Sequence, residues 1–221
     1  MELIGAGREA DVYALDGVRV LRRYRHGRAA GEEARLMAHL AGLGVAVPRV
    51  HDVTGADLVM DRLTGPTMAQ DLARRPWRAY AHGGLLAALQ ASVHAVPAPG
   101  WLPRRYAGGG PGSDRVLHLD LHPENVILTP DGPVLIDWSN AAAGDPAIDA
   151  ALTVAILRGV VLSRARSAGL RVFLAGFLRA CAADPAPRMA EAITARLADP
   201  RLLPVEERRL RRFARRAPGG N

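Results

Sequence analysis

Two short stretches carry side chains able to do chemistry. "VLHLDLHPENVIL" holds His118, Asp120, His122 and Asn125, and "VLIDW" ends an apolar run on Asp137. Two chemistries are open to them. His118, Asp120 and His122 alternate, so on an extended strand they share one face and could grip zinc. His51, His82 and His94 are scattered, and no cysteine cluster completes such a site. The alternative takes the whole segment: Asp120, then Asn125 five residues on, then Asp137 twelve further, beyond a "TPDG" turn. A loop asparagine and a strand-end aspartate are hard oxygen ligands suited to Mg²⁺. An aspartate close to them can accept a proton from an attacking hydroxyl.

These residues need elements to hold them. The first ~60 residues read as strands plus one helix. "ADVYAL" and "VRVLRRY" are β-rich and separated by "DG", a hairpin signal. Leu36, Met37, Leu40 and Leu43 give Gly31 to Leu43 a helical spacing. "PRVHDV" and "ADLVMDRL" are short strands joined by "TG". Helical patterns follow in "MAQDLARRP" and "GGLLAALQASVHAV", then a Pro/Gly-rich loop, "PAPGWLPRRYAGGGPGSD". One short strand delivers Asp120, and two more flank "TPDG". From Asp145 the pattern is helical, with breaks at "SAG", "ADPAP" and "ADPRLLP". The organisation is a strand-rich part, 1–62, and a larger helical part, 63–221, with the boundary near Asp61 to Gly65.

Composition narrows the classes. The chain has 221 residues and a net charge of +7, and all 29 basic residues are arginine. No apolar run approaches the ~18 residues that span a membrane. The N-terminus lacks a basic-then-apolar signal, so a cytoplasmic location is expected. Cys181 stands alone in an apolar helical pattern and reads as packing. The arginines are dispersed without aromatic interleaving, and the dense "RRLRRFARR" run reads as a solvated helix face. Nucleic-acid binding therefore rests on charge alone.

The ordered set resembles the catalytic and metal loops of the protein-kinase-like superfamily, and more closely the aminoglycoside phosphotransferase family of small-molecule kinases. "HLDLHPENVIL" is similar to that family's His-x-Asp-x-His-Pro-x-Asn signature, and "VLIDWSNAAAGDPAIDAA" to its Ile-Asp-Trp segment with a following Gly-Asp-Pro and later Asp. The resemblance implies an α+β, two-lobed protein-kinase-like fold: a small antiparallel β-sheet lobe with one helix that binds nucleotide, and a mainly helical lobe. It implies ATP and Mg²⁺ as cofactors and a small-molecule hydroxyl as acceptor, with no nucleic-acid or membrane partner. Asp120 would be the catalytic base, and Asn125 and Asp137 the metal ligands. Asp149 would hydrogen-bond the catalytic loop from a helix start, His118 would brace that loop, and Trp138 would pack. His122 is open between support and substrate contact.

The upstream half is read against the same family. "IGAGREADVY" takes the place of the loop over the phosphates, with Gly5 and Gly7 present and Ala10 at the third glycine position. The strand that carries the family's phosphate-pairing lysine has none here. Alternation puts Val18, Val20 and Arg22 on one face, so Arg22 is the stand-in, Val20 faces the adenine, and Arg23 points away. Glu33 lies three, four and seven residues before Leu36, Met37 and Leu40, so it shares their stripe and is the expected partner of Arg22; Glu32 is the fallback. Met60 would back the adenine, and the backbone of Asp61 to Leu63 would meet its edge. The absent lysine leaves a second reading open, a nucleotide-binding module with weak or no transfer. The later part carries Asp71, Asp184, Glu191, Asp199, Glu206 and Glu207 scattered among arginines, which argues against a strongly cationic acceptor. Residues from Trp77 to Asp114 are those expected to vary with substrate.

Overall fold

The computed structural model describes residues 1–7, 9–106, 114–160, 163–200 and 202–215. In chain order come β1 (Glu2–Ala6), β2 (Ala10–Ala14), β3 (Arg19–Tyr24), α1 (Gly31–Gly42), β4 (Val50–Thr54) and β5 (Asp57–Asp61). Next are α2 (Met68–Arg74), α3 (Ala79–His94), β6 (Arg115–Leu117), β7 (Val126–Thr129), β8 (Gly132–Leu135) and β9 (Ala142–Gly144). Last are α4 (Pro146–Gly159), α5 (Arg164–Ala180), α6 (Met189–Leu197) and α7 (Pro204–Ala214). The architecture is the α+β one expected, strand-rich first and helical after. The chain folds as two compact units, Met1–Thr67 with Asn125–Ser139, and Met68–Glu124 with Asn140–Asn221. The sequence division left everything after residue 62 in one part, whereas the β7–β8 hairpin packs with the first unit. Its backbone explains this: Leu128 N–H donates to Pro66 O at 2.9 Å and Leu135 N–H to Ala46 O at 3.0 Å.

In the first unit a five-stranded antiparallel sheet runs in the order β1-β2-β3-β5-β4. β3 is central, and Val20, Leu21, Arg22 and Tyr24 are all buried. Exposed cross-strand ion pairs, Arg23 with Asp57 and Arg25 with Asp11, line its open side. α1 buries Leu36, Met37 and Leu40, the spacing of one helical stripe.

In the second unit α4 is buried nearly all round, as expected of a helix without a polar face. Its start is fixed by Asp145, whose carboxylate accepts Ala147 N–H at 2.9 Å, with Pro146 at the first helical position. Ile148, Ala151, Leu152 and Ala155 pack with Leu117, Ala192, Ile193 and Leu210. α3 and α5 touch backbone to backbone. A Cβ on Gly83 would lie 2.0 Å from Phe173 O, and one on Gly176 would lie 2.1 Å from Tyr80 O, so both positions require glycine.

Two loop regions differ from the sequence expectation or lie beyond it. The break at "SAG" is absent, because α5 runs through Ser167 to Gly169. Ser163 caps it, and the buried stripe Phe173, Leu174 and Phe177 holds it down, so Gly169 does not end it. Residues 107–113 of the Pro/Gly-rich loop lie outside the described residues. Among the described residues, no helix is long and apolar enough to cross a membrane.

Candidate active site

β3 organises the candidate residues of the first unit. Alternation puts Val20, Arg22 and Tyr24 on one side, while Arg23 points away to Asp57. Val20 lies opposite Met60 on β5, and both are buried. Arg22 is 8% exposed. Its Nη2 donates to Asp137 Oδ1 at 2.5 Å, and its Nη1 stands 3.6 Å from Glu33 Oε1. Glu33 is the buried member of its pair and Glu32 the exposed one. Burial works against the charge of Arg22, but the two carboxylates outweigh it and hold the guanidinium above its ordinary value. Glu33 goes the other way. Burial pushes its carboxyl up to about 7; Arg22 opposes the rise and Asp137 adds to it. The geometry agrees, since Arg22 is closer to Asp137 than to Glu33.

Asp137 has φ 65, a left-handed conformation costly for a residue with a side chain. The following N–H, of Trp138, donates to Glu33 Oε1 at 2.9 Å, and Ser139 Oγ donates to Asp137 Oδ1 at 3.0 Å. Trp138 is buried and packs, as expected. Asn125 is also buried, and its carbonyl accepts Ile136 N–H at 3.1 Å. Because β7 pairs Val126 with Leu135, Asn125 stands across the hairpin from Ile136, next to Asp137. One amide and one carboxylate suit Mg²⁺, which keeps several waters and takes its remaining ligands from phosphates. The two residues fit that ion.

The remaining nucleotide candidates are more dispersed. Gly5 pairs with Val12 beside a register shift between Leu3 and Gly5. Gly7 N–H donates to Ala10 O at 2.9 Å, and a Cβ on Gly7 would sit 2.9 Å from that oxygen, so the turn itself requires glycine there. At the end of β5, Asp61 N–H goes to Arg49 O at 3.0 Å and Arg62 N–H to Val18 O at 2.8 Å. The Asp61 carboxylate accepts from His51 Nε2 at 2.7 Å. Leu63 N–H has no partner among the described residues.

The second unit holds Asp120. β6 leads into its loop, and Leu119 just before it has φ 62. Asp149, fully buried in the first turn of α4, accepts His118 N–H at 3.1 Å and Leu119 N–H at 2.7 Å. His94 Nε2 donates to it at 2.9 Å. Burial pushes the Asp149 carboxyl up, but the His94 bond and charge, the His118 charge and the Leu119 N–H together hold it below its ordinary value. His118 is buried beside this carboxylate and is not presented for zinc. No group of three His, Cys, Asp or Glu side chains among the described residues is arranged to hold a metal ion. His122 Nδ1 accepts Glu124 N–H at 3.3 Å, which leaves its other nitrogen 3.9 Å from Asp120 Oδ1. That bond is a supporting contact.

Sequence reasoning passed over Ser139 and Arg28, and met His94 only as a scattered histidine. His94 meets Asp149 across 55 residues, and no local pattern reports such a distance. Arg28 donates to Glu9 Oε2 at 2.6 Å and to the Ser139 carbonyl.

A sequence model of the phosphotransferase enzyme family (APH) matches residues 1–115 and 101–191. The chain belongs to this family. Solved structures agree on the protein-kinase-like fold. The ADP-bound aminoglycoside phosphotransferase APH(2'')-Ib is similar at TM-score 0.63 and 12% identity, over 89% of this chain and 82% of that one. The macrolide 2'-phosphotransferase MphH from Brachybacterium faecium is similar at TM-score 0.57 and 22% identity, over 90% and 82%. A choline/ethanolamine kinase family protein from Mesorhizobium loti is similar at TM-score 0.56 and 17% identity, over 89% and 74%. Comparison with curated proteins finds no match. This phosphotransferase family member contains no lysine.

Proposed function

We propose that the chain moves the γ-phosphate of ATP to a hydroxyl group of a small molecule. The observation that carries this reading is Asp137, held beside Asn125 and backed by the Arg22–Glu33 pair, in a member of a phosphotransferase family. The acceptor oxygen attacks the γ-phosphorus as the bond to the ADP oxygen breaks, and Asp120 takes the hydroxyl proton. Asn125 and Asp137 hold Mg²⁺, which when bound neutralises charge on the phosphates. Arg22 supplies fixed positive charge in place of lysine, and Glu33 orients it. Val20, Met60 and the Asp61 to Leu63 backbone receive the adenine, with the Leu63 N–H as the open donor. Gly5 and Gly7 carry the backbone over the phosphates. Use of ATP fits a cytoplasmic location.

Charge bears on the acceptor. The second unit carries twenty arginines against eleven carboxylates, a net +9, while the first carries nine against eleven, a net −2. Six of the second unit's carboxylates are matched by the chain's own arginines: Asp71, Asp114, Asp145, Glu191, Asp199 and Glu207. A polycationic acceptor needs carboxylates that are not already neutralised. A neutral or anionic hydroxyl compound suits this unit better.

A γ-phosphate transfer screen over cationic, neutral and anionic hydroxyl compounds tests the reading. The wild-type chain is expected to phosphorylate at least one non-cationic compound. Asp120→Asn is expected to lose about 10²- to 10⁴-fold of that rate while still binding Mg²⁺-ATP. Full turnover by Asp120→Asn would remove the base assignment. Mg²⁺-ATP binding with no transfer to any compound would favour the inactive binding module.

A further inference from the structure

Arg28 belongs to none of the motifs above, yet it joins two of them. It follows the short turn Arg25–Gly27 at the end of β3. Its Nη1 donates to Glu9 Oε2 at 2.6 Å and its Nη2 to the Ser139 carbonyl oxygen. Its guanidinium carbon stands 5.4 Å from the centre of the Tyr24 ring, and that of Arg22 stands 5.1 Å from the same centre. Glu9 lies in the turn that Gly7 opens. Ser139 donates its hydroxyl to Asp137. β1 is exposed along most of its length, and the glycine turn is also anchored by Arg25 N–H to Glu9 O at 2.8 Å.

We infer that Arg28 is a positioning residue for the Asp137 carboxylate, tying the glycine turn to the segment that follows Asp137. The inference rests on the reading of Asp137 as a metal ligand. Arginine suits the task because its planar fork reaches two acceptors with separate nitrogens while its face lies on an aromatic ring. A lysine ammonium is a single point and cannot span both acceptors. With this link, the glycine turn and the Asp137 segment hold one register within the first unit.

Calorimetric titration of the full chain with ADP, with and without Mg²⁺, tests the link without needing an acceptor. Arg28→Ala is expected to cut the Mg²⁺-dependent gain in ADP affinity about tenfold, the size typical when support of a metal ligand is lost. Metal-free ADP affinity is expected to change much less. The melting temperature without nucleotide is expected to stay close to wild type, since the Arg28 side chain is 46% exposed. Arg28→Lys is expected to restore only part of the gain. Glu9→Gln is expected to lower it, and adding Glu9→Gln to Arg28→Ala to lower it no further. Equal loss with and without Mg²⁺ would mark a merely structural role and overturn the assignment. A wild-type gain that Asp137→Ala abolishes and Arg28→Ala leaves intact would sink Arg28 alone. Absence of any Mg²⁺ gain in the wild type would bring down the Asp137 reading and this inference together.

Discussion

Each unit contains a left-handed, non-glycine residue at or beside a candidate site residue, and each holds it with a buried carboxylate. In the second unit Leu119 is left-handed, and Asp149 takes the N–H of His118 and of Leu119. In the first, Asp137 is left-handed, and Glu33 takes the N–H of Trp138. The two grips differ in how completely the carboxylate is served. Asp149 has three hydrogen-bond donors, counting His94. Glu33 has one N–H and a cation at 3.6 Å, and its Oε2 has no donor among the described residues. The titration behaviour follows: Asp149 lies below its ordinary value, and Glu33 rises to about 7. Burial alone does not decide the charge of an interior acid; the number and closeness of donors does. Asp149 is a permanent anionic strut, and Glu33 is poised near neutrality.

The comparison can be broken at its strongest point first. Asp149→Ala strands two backbone N–H groups and His94, and is expected to cost about 3–5 kcal/mol in denaturant unfolding. A cost below ~1 kcal/mol would mean the loop around Leu119 is held by something else. His94→Leu removes one donor of three and is expected to cost about 1.5–3 kcal/mol. It should also move acid unfolding to higher pH. The sign follows from the depressed carboxyl: its stabilisation is present above the ordinary Asp value and is lost as pH falls through the folded value, which weaker support would raise.

Glu33→Gln gives the most diagnostic change. The folded-state value near 7 exceeds the ordinary 4.5, so the folded chain holds an extra proton between those limits. The Glu33 contribution is therefore full below pH 4.5 and is lost as pH rises through 7. Glutamine does not titrate. The wild-type advantage over Glu33→Gln is expected to shrink across that window in thermal melts, by up to about 3 kcal/mol for a rise from 4.5 to about 7. A difference independent of pH would show that Glu33 is charged throughout and would erase the contrast with Asp149.

Residues on regular elements were legible in the sequence, because period does the work there. Two-residue alternation separates Arg22 from Arg23, and a three-and-four spacing separates Glu33 from Glu32. The "TPDG" turn and the caps of α4 are local signals that the chain obeys. What was not legible depends on partners distant in sequence. β9 is Ala-Ala-Gly, with no strand-forming residue; it exists because β6 pairs with it. The continuation of α5 through Gly169 depends on Phe173 and Phe177 being buried, and α3 supplies part of that contact at Gly83. Arg28 sits just beyond a short irregular turn, where no period indicates which way a side chain points.

The guanidinium of Arg22 has a practical consequence for anyone trying to find this protein by its chemistry. Reagents that tag nucleotide sites by acylating an amine need an unprotonated nitrogen nucleophile, and a guanidinium paired with two carboxylates stays protonated. With no lysine anywhere in the chain, such a reagent has no side-chain amine to mark. Surveys of ATP users built on lysine labelling will pass over it.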